Sequence, residues 1–197
     1  MTLETKLPKV LMISMSHNSK SCYYRDRCSR SWIKRGYDVE HFEAITPIDM
    51  NRSVEGRIDF IDFGKKKHRL NFTSTEKAIW YSIMLAIKKV SESDEPYIIA
   101  EHDAMLLEDI PKTLFDSNGF IFLCHARRGL TPCGAFYLTP ENATWMINHD
   151  VLKTSVNFNV DGQLLEWCRQ LGGLSDRHHY VKQFVNPKIG VTIEHKK

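Results

Sequence analysis

The sequence predicts one α/β domain, a sandwich of helices on a mainly parallel sheet. Three observations predict it. Short apolar, β-rich runs alternate with helix-length segments. The first strand, helix and strand follow at βαβ spacing. The helices carry caps and glycine stops that mark where they begin and end.

Residues 9–15 (Lys9-Val10-Leu11-Met12-Ile13-Ser14-Met15) form an apolar run that reads as a buried strand. Ser16-His17-Asn18-Ser19 is a polar loop, and a helix is expected over 22–35, stopped by Gly36. Residues 37–42 alternate apolar and polar and predict the second strand. Residues 46–71 have no clean period, and a long irregular stretch of this kind usually serves a function. Thr73 and Glu76 have capping-box spacing, followed by an apolar stripe of Ile79, Ile83, Ala86, Ile87 and Val90 that predicts a helix.

Pro96-Tyr97-Ile98-Ile99-Ala100 predicts a buried strand running directly into Glu101-His102-Asp103. Residues 120–124 and 135–138 predict two more strands. Thr139 then caps a helix with Pro140 in its first turn. Val160, Leu164, Leu165, Cys168 and Leu171 stripe a helix that stops at Gly172-Gly173, and residues 179–185 predict a last strand. Trp80, Trp145 and Trp167 fall within helices and read as core or half-buried packing residues.

Composition narrows the class. The 197 residues are 42% hydrophobic and 26% charged, which excludes a disordered or collagen-like chain. A chain of this length buries roughly 70% of its unfolded surface, so disulfides and structural metals are not required. Cys22, Cys28, Cys124, Cys133 and Cys168 are odd in number and form no C-x-x-C pair, so free thiols in a reducing cytoplasm are expected. No repeat or linker divides residues 1–197. The apolar runs are far shorter than the ~20 residues that span a bilayer. The first six residues lack a signal-peptide core, so no membrane anchor is expected. A net charge of +3 is too mild to demand a polyanionic partner. No H-E-x-x-H zinc motif and no phosphate loop occurs.

Glu101-His102-Asp103 is the sharpest chemical feature. Ligands of open α/β sheets bind beyond the carboxyl ends of strands, and a turn there can aim both carboxylates at one point. Such hard oxygens suit Mg²⁺ or Mn²⁺ shared with a substrate phosphate. The plain alternative is a solvated acidic turn. Asp161, at the start of a predicted helix, is a candidate general base, with a capping role as its alternative.

A series of short segments resembles glycosyltransferase family 25, the lipopolysaccharide-type sugar transferases. His41-Phe42-Glu43-Ala44-Ile45 resembles that family's F-x-A-I, and Phe72-Thr73-Ser74-Thr75-Glu76-Lys77-Ala78 its L-T-x-G-E-x-G. Tyr81-Ser82 falls near its S-H, and Ile98 to Leu106 resembles its L-I-L-E-D-D-V. Gly134-Ala135-Phe136-Tyr137-Leu138-Thr139 is similar to its A-Y-L-I-S, and Val160-Asp161-Gly162-Gln163-Leu164 to its V-D-x-x-L. The segments come in family order over residues 9–190. The chain departs where the family's middle acid is His102, where a glycine is Thr75, and where the usual I-N-L reads Ile13-Ser14-Met15.

The resemblance implies a GT-A-like, Rossmann-type α/β/α sandwich that moves sugar from a nucleotide-sugar, a UDP-sugar foremost. It implies Mn²⁺ or Mg²⁺ on Asp103 and Glu101, and Asp161 as base; a continued strand pleat would point His102 away from its neighbours, as a structural residue or one behind the ligands. Ser14, Ser16 and the Ala44-Ile45 backbone would hold base and ribose. Arg25 or Arg27 would reach a phosphate, the alternative being a solvated helix face. Thr73 and Lys77, at a helix start, are diphosphate neighbours on the same reading. His179, beside His178, is the candidate for a third metal ligand, with a structural role as the alternative.

Two basic clusters, Lys65-Lys66-Lys67-His68-Arg69 and His125-Ala126-Arg127-Arg128, read either as solvated loops or as phosphate-backbone contacts. The single compact domain is also similar to small bacteriophage sugar transferases, some of which decorate hydroxymethylcytosine in phage DNA; with the basic clusters and the missing anchor, that resemblance favours duplex DNA over a saccharide or lipopolysaccharide acceptor. A small bacteriophage-type enzyme of the host cytoplasm is the resulting expectation. A nucleotide-sugar-binding module without catalysis is the runner-up.

Overall fold

Strand β1 (Lys9–Ser14) is buried beyond its first residue and lies inside the sheet. The computed structural model describes residues 6–49, 61, 63, 71–116, 118–124, 134–149, 152, 156, 158–174 and 180–183. Helix α1 (Ser19–Ile33) starts earlier than residue 22, because Asn18 rather than a later residue caps it, its side chain accepting from Ser21 N–H at 3.0 Å. Gly36, at φ +85°, turns the chain after α1, a left-handed conformation that costs glycine least. Strand β2 (Val39–Glu43) then pairs parallel to β1.

Helix α2 (Ser74–Ser91) opens with the complete Thr73/Glu76 capping box. It delivers the chain to β3 (Tyr97–Glu101), parallel to β1 on its other side. There follow β4 (Ala104–Leu106), α3 (Lys112–Asp116), β5 (Phe120–Phe122), β6 (Ala135–Leu138), α4 (Pro140–Ile147), α5 (Val160–Gln170) and β7 (Val181–Gln183). The main sheet has the order β2-β1-β3-β6-β5. Only β6 runs against its neighbours, so four of the five strands point the same way and the sheet is mainly parallel. Strands β4 and β7 form a separate antiparallel pair.

Strand alternation sends Leu11, Ile13, Ile99 and Phe136 into the core beneath α2, α4 and α5, where Trp80 and Trp167 are fully buried. Val10, Met12, Ile98 and Ala100 face the opposite core, with Cys28 and Trp32 of α1. Each fully buried aliphatic chain stabilises the fold by roughly 1.5–3 kcal/mol. The result is an α/β/α sandwich. Trp32 also donates from Nε1 to the carbonyl of Ala104 at 3.0 Å, which ties α1 to β4. Cys22, Cys28, Cys124 and Cys168 are free thiols. No described helix is long and apolar enough to cross a membrane.

Candidate active site at the parting of two strands

The order β2-β1-β3 dictates where a ligand can enter. From β1 the chain crosses on the α1 side to β2, and it returns on the α2 side to β3. The loops leaving the carboxyl ends of β1 and β3 therefore diverge and open a crevice. A cavity of about 150 Å³ lies there, lined by Ile13, Ser14 and Met15 at the end of β1, Ala44 and Ile45 after β2, and Glu101 and His102 at the end of β3. Ile79, Ser82 and Ile83 of α2 complete its wall. Ser82 is a strut: it donates to the Ala78 carbonyl at 2.8 Å and accepts from Ile45 N–H at 2.8 Å.

The acids follow from the strand. Glu101 continues the alternation of Tyr97 and Ile99 and faces the cavity. The strand ends there, and a turn carries residues 102 and 103. The pleat therefore does not continue, and His102 lines the same cavity as Glu101 instead of pointing away. Asp103 is 4% exposed, with its Oδ1 buried and without a hydrogen-bond partner. Its charge is felt by the buried thiols of Cys28 and Cys124 in the α1-side core, after burial itself, which raises both.

Burial first, then the charges of Asp103 and Asp161, push the Glu101 carboxyl up to about 8. Asp103 is also raised, by burial, with the His102 ring, its own N–H and the Gln183 amide opposing. Burial lowers His102, with Asp103 opposing and Lys20 adding to the fall. Glu101 thus carries the repulsion of both aspartates on top of its burial. Gln183 of β7 donates from Nε2 to Glu101 Oε2 at 2.6 Å.

The other sequence candidates fall in different places. Asp161 lies in the first turn of α5, and the N-cap is Asn159, which accepts from Gly162 N–H at 3.0 Å. Ser14 lines the cavity, whereas exposed Ser16 lies outside the lining and donates its N–H to Glu43. The amides of Ala44 and Ile45 are committed to the Ser14 carbonyl and Ser82 Oγ. A ligand therefore meets the carbonyls and side chains there, not the N–H groups. Thr73 Oγ1 is taken up by Glu76, and Lys77 rests over the Phe63 ring at 5.3 Å; neither lines the cavity. Arg25 pairs with Asp26 at 2.8 Å, and Arg27 is exposed on α1.

His178 and His179, and the basic clusters with Lys65, Lys66, Lys67, Arg69, Arg127 and Arg128, lie outside the described residues. Among the described residues no three His, Cys, Asp or Glu side chains converge closely enough to hold a metal ion. Glu101 and Asp103 fit a divalent cation as a two-carboxylate site. Asp103 Oδ1 is a buried hard acceptor without a donor, and such ions commonly take one or two carboxylates and fill the rest with phosphate and water.

Fold and site together define a doubly wound α/β protein with an acid-bearing cleft at its strand-order switch. Among solved structures, the chain is similar to a glycosyltransferase involved in the glycosylation of the major capsid of PBCV-1. The two share 13% sequence identity over 87% of this chain and 83% of that chain, with a TM-score of 0.49. No residue role is carried across at that distance. No family model matches the sequence, and no curated protein matches it.

Proposed function

We propose that this chain is a metal-dependent glycosyltransferase that moves a sugar from a nucleotide-diphosphate donor, a UDP-sugar foremost, to an acceptor hydroxyl. One observation carries the reading: Glu101 lines the crevice where α/β folds bind nucleotides, and close enough to repel it stands buried Asp103, one of whose oxygens has no hydrogen-bond partner. Mn²⁺ or Mg²⁺ held by Glu101 and Asp103 would neutralise charge gathering on the departing diphosphate.

The chain's own groups divide the remaining work. The apolar wall of Ile13, Ile79 and Ile83 suits a flat base and keeps water from it. As the anomeric carbon–phosphate oxygen bond breaks and the bond to the acceptor oxygen forms, Asp161 takes the acceptor's proton. It lies in the first turn of α5, where the helix dipole favours negative charge. Direct attack of this kind inverts the anomeric centre. For the acceptor, hydroxymethylcytosine in phage DNA is favoured over a saccharide, on the basic clusters of the sequence and its resemblance to small bacteriophage sugar transferases. A flipped base would present its hydroxyl.

The test is a panel of nucleotide-sugars in thermal melts with and without Mn²⁺. A true donor at one hundred times its Kd adds about 2.7 kcal/mol, and the gain should need Mn²⁺ and vanish in Asp103→Ala. A panel in which no nucleotide-sugar moves the melting temperature would refute the reading. His102, lining the cavity where the resemblance has an acid, favours a second reading as a binding module without turnover. Such a module would bind donor yet release no nucleotide. Salt-dependent binding to duplex DNA would support the DNA acceptor, and transfer to a free glycan without DNA binding would remove it.

A further inference from the structure

Gln183 lies 82 residues from Glu101 in sequence and meets it at 2.6 Å. Three independent features put it there. In the β4–β7 pair Gln183 is the register partner of Ala104, next to Asp103. Val181 N–H donates to the Leu123 carbonyl at 3.1 Å, which anchors β7 to the chain leaving β5. Gly134 leaves the space that the side chain fills: a Cβ at residue 134 would stand 2.4 Å from both Cγ and Cδ of Gln183. Gly134 also accepts Glu101 N–H at 2.8 Å through its carbonyl, so the glycine touches both partners. Its φ is not in the left-handed range, so the residue is small for space and not for backbone freedom.

We infer that Gln183 is a positioning residue for the cation site, holding the Glu101 carboxylate in place through a slot that only glycine at 134 leaves open. The inference rests on the reading of Glu101 and Asp103 as that site. An amide donor suits the task. It fixes one carboxylate oxygen and eases the repulsion between the two acids, and it adds no charge to compete with the cation. Partners that orient a ligating side chain commonly contribute roughly 10- to 100-fold to metal affinity.

The experiment is Mn²⁺ titration of the full chain, followed by the EPR signal of free Mn²⁺, with folding checked by circular dichroism. The proteins are wild type, the double variant Glu101→Gln/Asp103→Asn, Gln183→Ala, Gly134→Ala, and Gly134→Ala/Gln183→Ala. Wild-type binding should disappear in the acid double variant. Gln183→Ala should weaken it roughly 10- to 100-fold. Gly134→Ala should do the same by displacing the side chain, but should add nothing once Gln183 is already alanine. A merely structural glycine would not show that non-additivity. Should Gly134→Ala fail to fold, Gln183→Asn, one methylene too short to reach, replaces it and should weaken binding like Gln183→Ala. If Gln183→Ala binds Mn²⁺ as wild type does while the acid variant does not, the positioning role is overturned and the cation site stands. If wild type binds no Mn²⁺, or binding survives the acid variant, the cation reading falls and this inference falls with it.

Discussion

Replacing Glu101 by glutamine should make the protein more stable in alkaline buffer. In the unfolded chain the carboxyl titrates near 4.5; in the fold, burial and then the charges of Asp103 and Asp161 raise it to about 8. Between those values the folded state holds a proton that the unfolded state has lost. The group's full contribution is therefore present below pH 4.5 and is lost as pH climbs through about 8. At ~1.36 kcal/mol per pH unit the interval caps the loss at about 5 kcal/mol, which includes the repulsion Glu101 feels from the two aspartates. Glutamine keeps the shape and a neutral head, so its stability should not fall over this window on account of residue 101. The assay is urea unfolding in EDTA at about pH 5.5 and about pH 8.5, with the two stability differences compared. Wild type should lose stability between them by on the order of several kcal/mol more than Glu101→Gln. Parallel losses in the two proteins would refute the shared-charge description of the site.

Three further outcomes follow from the same geometry. Asp161→Asn should lower the rate of sugar transfer roughly 10²- to 10⁴-fold and leave donor affinity unchanged, as read by initial rates beside donor melts. Thr73→Ala should cost about 1 kcal/mol of stability through loss of the cap and leave donor binding untouched, which separates capping from ligand contact. Ser82→Ala should cost about 1 kcal/mol by removing the partner of the half-buried Ile45 N–H, measured by denaturant unfolding.

The elements that were legible in the sequence carry their information locally. The Thr73/Glu76 box, the Thr139 cap with Pro140, and Gly36 after α1 are signals of a few residues, and each stands where it was expected. The apolar runs at 9–15, 97–100 and 135–138 became the three adjacent strands β1, β3 and β6 for the same reason. Where the local signal was ambiguous the boundary moved. Asn18 in the polar loop and the first polar turn of α1 carry no apolar period, so the sequence pattern marks the helix start later than the structure does. The three-residue β4 and five-residue α3 are too short to show a period at all.

The site divides along the same line. Glu101 and Asp103 are legible as acids where an apolar strand ends, and Asp161 as an acid where a helix starts; of the three, Glu101 lines the cavity. The sequence by itself thus determined the α/β class, the strands that meet at the crevice and the acids at their ends. Only the tertiary structure decided that Gln183 reaches Glu101 past Gly134, that Ser82 takes the Ile45 amide, and that His102 turns into the cavity. Those are contacts between segments tens of residues apart. Their geometry is set by sheet register and by the space a neighbouring side chain leaves, and no local pattern encodes either.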